Sequence, residues 1–201
     1  SRAEVEQELA LREQRLQQRR DGTLPAPNEP PTDQWRIYRE ITEALRRTDR
    51  PARFVVQAAA GTGKSYVLET LYLWCLVHGL VPEACAPAGI AAARIHVPRT
   101  PVRAYTSHYL FGLDGEGGSR LNPGKLKDPR NNRLARMTVF FQDEVSMLDD
   151  ESWSQQRSQL SLFSAAAPLS DEEEEKEEEK EAAAAAKGTE RALEEAAEDE
   201  A

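Results

Sequence analysis

One stretch limits the fold more than any other: Phe54-Val-Val-Gln-Ala-Ala-Ala-Gly61-Thr-Gly63-Lys64-Ser65. A β-branched apolar run leads into a glycine-rich turn and then Lys-Ser. An apolar-periodic stretch follows, from Tyr66 to Val77. Strand, loop and helix in that order are the setting of a P-loop. Backbone N–H groups of such a loop, and of the helix start behind it, point at an anion that the helix dipole also favours. Ala60, Gly61, Thr62 and Gly63 form the candidate cradle. Lys64 is placed to reach β- and γ-phosphates, and Ser65 to offer its hydroxyl to Mg²⁺. The first glycine of the full pattern is replaced by Ala58. If that slot requires a positive φ, alanine there costs roughly 1–2 kcal/mol. A glycine-rich turn before an ordinary helix is the plainer reading, and the flanking strand and helix weigh against it.

The segments around this core are uneven in charge. Of 201 residues, the stretch from Asp171 onward holds 15 acidic and 4 basic residues. Residues 1–170 hold 20 acidic and 22 basic, so the net charge of −9 belongs to a tail and the body is near neutral. A hydrophobic content of 39% and a mean hydropathy of −0.67 are low for a fully packed chain, so part of it is expected to stay unpacked. Cys75 and Cys85 lack metal-like or redox spacing and read as buried apolar thiols in a reducing compartment. No stretch reads as a bilayer span, and no membrane partner is expected. The N-terminal stretch has no signal-peptide core and is too acidic for a mitochondrial transit peptide.

Three regions are expected. Residues 1–31 read as a charged helix with Val5, Leu9 and Leu16 on a thin apolar stripe, solvated by default, followed by a proline-rich linker. Residues 32–165 read as the P-loop domain, opening with a helix from Gln34 to Arg47 capped by Thr32 or Asp33. Strands are expected at Arg53–Gln57, Leu80–Ala86 and Met137–Phe141, with a small-residue helix after Ala86-Pro87-Ala88-Gly89 and a polar helix through Leu162. That alternation predicts an α/β fold with a parallel sheet. Residues 166–201 read as a solvated acidic low-complexity tail, disordered or locally helical; basic proteins are a conceivable partner without a specific signal.

Two further features carry chemistry. Residues 94–136 hold nine Arg or Lys against three acids, with Tyr105, His108, Tyr109 and Phe111 interleaved. Cations that track phosphates and rings that stack on bases at ~1–3 kcal/mol each suit single-stranded nucleic acid. A solvated loop with core aromatics accounts for this composition equally well, and Gly112–Pro129 reads as surface loop. The apolar strand ending at Phe141 runs into Gln142-Asp143-Glu144. Downstream of a P-loop, Asp143 is placed to hold Mg²⁺ and Glu144 to polarise an attacking water. Gln34, upstream of the first strand, carries an amide able to donate and accept at once, which suits an adenine edge; taken alone it is a helix-surface residue.

Four blocks occur in order: Gly61-Thr-Gly-Lys-Ser65, Ala86-Pro-Ala-Gly-Ile-Ala-Ala92, Thr106-Ser-His108-Tyr-Leu-Phe111-Gly-Leu113 and Asp143-Glu-Val-Ser-Met-Leu148. Together they resemble the first RecA-like domain of the PIF-type (petite integration frequency) DNA helicases, including the Helitron transposon helicases, over roughly Asp33 to Trp153. The resemblance implies an incomplete RecA-like P-loop NTPase fold and an ATP- and Mg²⁺-dependent 5′-to-3′ DNA helicase, an intracellular enzyme of nuclear or, as second choice, mitochondrial DNA. It implies that Gln34 recognises adenine, that Gly61, Gly63, Lys64 and Ser65 hold the nucleotide, and that Asp143 and Glu144 are Mg²⁺ ligand and catalytic base. It further implies that Pro87, Ala88, His108 and Phe111 lie in blocks that touch single-stranded DNA.

The departures are the long segment Arg94 to Tyr105, Gln142 before Asp-Glu, and the lack of the Gly-Asp-x-x-Gln block and second motor domain after Trp153. The 201-residue chain alone is therefore expected not to unwind duplex DNA. A catalytically silent nucleotide- or DNA-binding module is the alternative. A small-molecule kinase leaves the basic aromatic stretch without a purpose.

Overall fold

The computed structural model describes residues 1–22, 33–47, 52–113, 121–125 and 128–164. The expected linker, the acidic tail and the tip of the Gly112–Pro129 loop lie outside these residues. The chain divides into two compact units, Ser1–Arg120 with Met137–Ser158, and Leu121–Arg136 with Gln159–Ala201. No described helix is long and apolar enough to cross a membrane.

The first unit begins with three helices, α1 (Arg2–Asp21), α2 (Gln34–Leu45) and α3 (Lys64–Val77). Helix α3 is buried along most of its length, from Val67 through Cys75. A helix apolar on all sides must be covered on all sides. One cover is α1, whose Val5, Leu9 and Leu16 enter the same core as Leu71, Leu73 and Trp74. A solvated α1 was expected, and this is a correction. Three apolar residues a turn or two apart are enough once the facing helix offers a continuous apolar surface. Helix α2 adds Tyr38 and Ile41, with Trp35, Ile37 and Leu45 partly buried beside them.

The sheet has three parallel strands, β1 (Pro82–Ala86), β2 (Tyr105–Thr106) and β3 (Val139–Gln142), in the order β2-β1-β3. Cys85 and Ala86 pair with Tyr105 and Thr106 on one side, and Pro82 to Cys85 pair with Val139 to Gln142 on the other. Every residue of β1 is buried, as a central parallel strand covered on both faces should be. Helix α4 (Gly89–Arg94) follows β1 and helix α5 (Ser107–Phe111) follows β2. The long segment between these helices is part of the core. An antiparallel bridge joins His96 to Arg103, and Ile95, Val97 and Val102 are buried.

The expected first strand is not formed. Residues 52–59 carry no strand pairing, and Phe54, Val55 and Val56 are 47%, 94% and 39% exposed. β-Branched residues favour strands because they fit a pleated, half-covered surface. Among the described residues β3 pairs only with β1, so no ladder partner receives Arg53–Gln57.

In the second unit, helix α6 (Pro129–Arg136) was not anticipated. Asp128 starts it by accepting from the Arg130 N–H at 2.9 Å. Asn131 then ties the preceding turn to it, accepting from the Asn122 N–H at 3.0 Å and donating to the Lys125 carbonyl at 2.8 Å. A 3-10 turn (Val145–Met147) and helix α7 (Asp150–Ser164) complete the elements, and α7 runs through the boundary at Ser158.

Candidate nucleotide site

The turn from Ala60 to Gly63 is built by local bonds. The Thr62 hydroxyl donates to the Ala59 carbonyl at 2.8 Å. Gly63 caps α3 with φ 82°, a left-handed conformation that L side chains seldom adopt. The Lys64 ammonium turns back along the loop and donates to the carbonyls of Ala58 and Ala59 at 2.9 and 3.0 Å. Ala58 is not left-handed: among the described residues only Arg99 and Glu144 combine positive φ with a side chain. Alanine in the first glycine slot therefore pays no such strain in this loop.

Ser65 and Asp143 meet at the C-terminal end of β3. The Ser65 hydroxyl, in the first turn of α3, donates to Asp143 Oδ2 at 3.3 Å. Asp143 directly follows β3, and its N–H donates to the Cys85 carbonyl at 2.9 Å. Gln142 strengthens that corner, donating to the Asp143 carbonyl and accepting from the Cys85 thiol, each at 2.8 Å. A hydroxyl and a carboxylate this close form a hard-oxygen pair that fits Mg²⁺, which is commonly held by one or two carboxylates together with substrate phosphates. No cluster of three or more His, Cys, Asp or Glu exists among the described residues, and such a site needs none. Glu144 is exposed, in the left-handed region at φ 50°, with its N–H donated to Asp143 Oδ1 at 3.0 Å. Sparsely populated backbone of this kind is enriched at functional sites.

Gln34 opens α2 and is buried, not a surface residue. Its Nε2 donates to the Thr62 carbonyl at 2.7 Å, and its Oε1 accepts from Arg19 Nη1 at 3.3 Å. A Cβ built on Gly63 meets Gln34 Nε2 at 2.3 Å, whereas one on Gly61 meets nothing within 4 Å. Gly63→Ala is therefore expected to displace Gln34 and to weaken nucleotide binding well beyond Gly61→Ala, which bears only the left-handed penalty of about 1–2 kcal/mol. Titration of both variants with a fluorescent ATP analogue checks this; equal losses would show that the Gln34 contact is immaterial.

The remaining expected residues divide. Pro87 and Ala88 are half-buried after β1, and His108 is exposed on α5. Phe111 is fully buried, edge-to-face on Phe140 at 5.4 Å. It supports the surface from below and presents no face to a ligand, which corrects its expected DNA contact. Tyr109 is the exposed ring of this block, stacked on Tyr105 at 5.2 Å, with the Arg103 guanidinium 5.4 Å from the Tyr105 centroid. Of the other basic residues from 94 to 136, Lys125, Arg130, Arg133 and Arg136 are the described ones in the second unit, and Arg120 and Lys127 lie outside the described residues. Cys75 and Cys85 are buried free thiols, and burial pushes both up to about 12. They are inert packing groups at neutral pH.

Sequence reasoning passed over Arg19. Nothing in its local sequence marks it within a helix rich in arginine; only the docking of α1 brings it to Gln34.

The sequence model of a family described as an AAA domain matches residues 42–162. No curated protein and no solved structure matches the chain.

Proposed function

The chain belongs to the AAA-domain family, within the helicase-like P-loop superfamily of nucleotide-hydrolysing enzymes, and from this we propose that it is an ATP- and Mg²⁺-dependent DNA helicase motor segment of the PIF type, acting on single-stranded DNA with 5′-to-3′ polarity in the nucleus. The observation that carries the proposal is the common placement of the candidate groups. Pro87 and Ala88 follow β1, His108 lies just past β2, and Asp143 and Glu144 follow β3. All three strands are parallel, so these residues share the C-terminal edge of one sheet, where open α/β folds bind ligands.

Each residue then has a role. Gly61, Thr62 and Gly63 turn backbone N–H groups toward the phosphates. Lys64 exchanges the carbonyls of Ala58 and Ala59 for phosphate oxygens. Ser65 and Asp143 hold Mg²⁺, which when bound neutralises charge developing on the phosphates. Glu144 orients water and takes its proton. Gln34 reads the adenine edge. His108 and Tyr109, with Arg103 behind them, offer rings and charge to a DNA strand.

ATP hydrolysis by the full chain, with and without single-stranded DNA, tests this. Turnover stimulated by DNA supports the proposal. Mg²⁺-dependent ATP binding without turnover, with or without DNA, would instead favour a silent binding module. The unpaired segment leading into the P-loop argues for keeping that second reading. A chain that binds no nucleotide would overturn both.

A further inference from the structure

We infer that Arg19 is a positioning residue that sets the preference of the nucleotide site for ATP over GTP through Gln34, which makes α1 a working part of that site. The inference rests on the nucleotide-binding reading above. It concerns a helix outside residues 42–162, the stretch matched by the family.

The geometry is a relay. Arg12 anchors α1 to α3, its Nη1 donating to Glu69 Oε2 at 2.8 Å. Val5, Leu9 and Leu16 seat the same helix in the core. Docked in this way, the last turn of α1 carries Arg19 to Gln34 Oε1 at 3.3 Å, and Gln34 Nε2 reaches the Thr62 carbonyl at 2.7 Å. A Cβ on Gly63 lies 2.3 Å from Gln34 Nε2 and 4.0 Å from Arg19 Nη1, so both side chains lie beside the phosphate turn. The Tyr66 ring, 5.9 Å from the Arg19 guanidinium, helps to hold it there.

A carboxamide has two ends of nearly equal shape and opposite chemistry. Arginine has donors and no acceptor, so it tolerates only the amide oxygen. The Thr62 carbonyl tolerates only the amide nitrogen. Together they fix Gln34 in one orientation and leave it one N–H and one lone pair. Adenine offers an amino donor and a ring-nitrogen acceptor along one edge, whereas guanine offers two acceptors there. The fixed amide matches the first and clashes with the second. Without Arg19 the Thr62 bond alone holds the amide, which can swing about it, and the pose that rejects guanine is no longer enforced.

The test is the ratio of Kd for GTP to Kd for ATP, measured with Mg²⁺ on the full chain. Arg19→Ala is expected to lower this ratio roughly tenfold, the scale of one or two net hydrogen bonds, and Arg19→Lys, which keeps a cationic donor, to restore part of it. Arg19→Met keeps the stem and carries the test if the alanine variant does not fold by circular dichroism. Arg12→Ala loosens the anchor that carries Arg19 to Gln34 and is expected to lower the ratio in the same direction. An ATP-preferring wild type whose ratio survives loss of Arg19 would overturn the inference and leave nucleotide binding standing. A wild type that binds both nucleotides equally does the same. A wild type that binds neither overturns the nucleotide reading and the inference with it.

Discussion

Lys64→Ala is expected to reduce ATP hydrolysis by at least about 100-fold, the scale of removing one preorganised charge-stabilising donor from an active site. In the loop the Lys64 ammonium is held by the carbonyls of Ala58 and Ala59. Phosphate oxygens are the better acceptors because the bond is then charged on both sides. The variant loses that bond and the inward pull on the loop together. Stability is expected to change by about 1 kcal/mol or less, since the lost bonds join one charged group to two loop carbonyls near the surface. Lys64→Arg is not expected to rescue, because a planar fork does not replace a compact ammonium on a flexible stem. Steady-state hydrolysis and ATP-analogue binding, measured beside urea melts, separate these effects. Hydrolysis retained in Lys64→Ala would show that the turn is not a catalytic phosphate site.

The largest loss of stability is expected at Glu69. Its Oε2 accepts from Arg12 at 2.8 Å, its Oε1 accepts from the His96 N–H at 3.4 Å, and both paired side chains are only 11% exposed. Arg12 is held further by Glu8 at 2.8 Å and lies 4.6 Å from the Tyr66 ring centroid. Burial works against the charged guanidinium, yet the hydrogen bonds it donates to Glu8 and Glu69 outweigh it and its pKa is raised. Removing one partner of such a pair strands the other. Glu69→Ala is therefore expected to cost about 3–5 kcal/mol. The double change Arg12→Met with Glu69→Leu removes both charges and is expected to recover most of that loss. The pair Arg2–Glu6, 79% and 49% exposed, is a control expected to contribute about 0–1 kcal/mol. Urea denaturation of the four proteins measures the coupling. A Glu69→Ala loss under about 1 kcal/mol would mean that α1 is held by its apolar stripe alone.

The two predictions probe different legibility. Lys64 could be picked out from the sequence because a phosphate loop is a local device. Its glycines, lysine and serine act within one turn, and neighbours in the chain are neighbours in space. Asp143 was legible for the same reason, as the end of a short apolar run. The α/β class and parallel sheet followed from strand and helix periods that each segment carries by itself.

What the sequence could not settle were choices made by distant partners. Phe54, Val55 and Val56 have the composition of a strand, but a strand exists only where another backbone offers its N–H and C=O groups, and none does among the described residues. Phe111 and Tyr109 are two positions apart and equally aromatic; the side of α5 that faces Phe140 buries one and exposes the other. Helix α1 read as solvated because its stripe is thin, and the demand for cover comes from α3, far along the chain. Gln34 was singled out on its chemistry, but its orientation depends on Arg19, whose role is invisible until α1 is docked. Local sequence determined which chemistry was present; burial and long-range pairing, properties of the assembled core, decided which groups could use it.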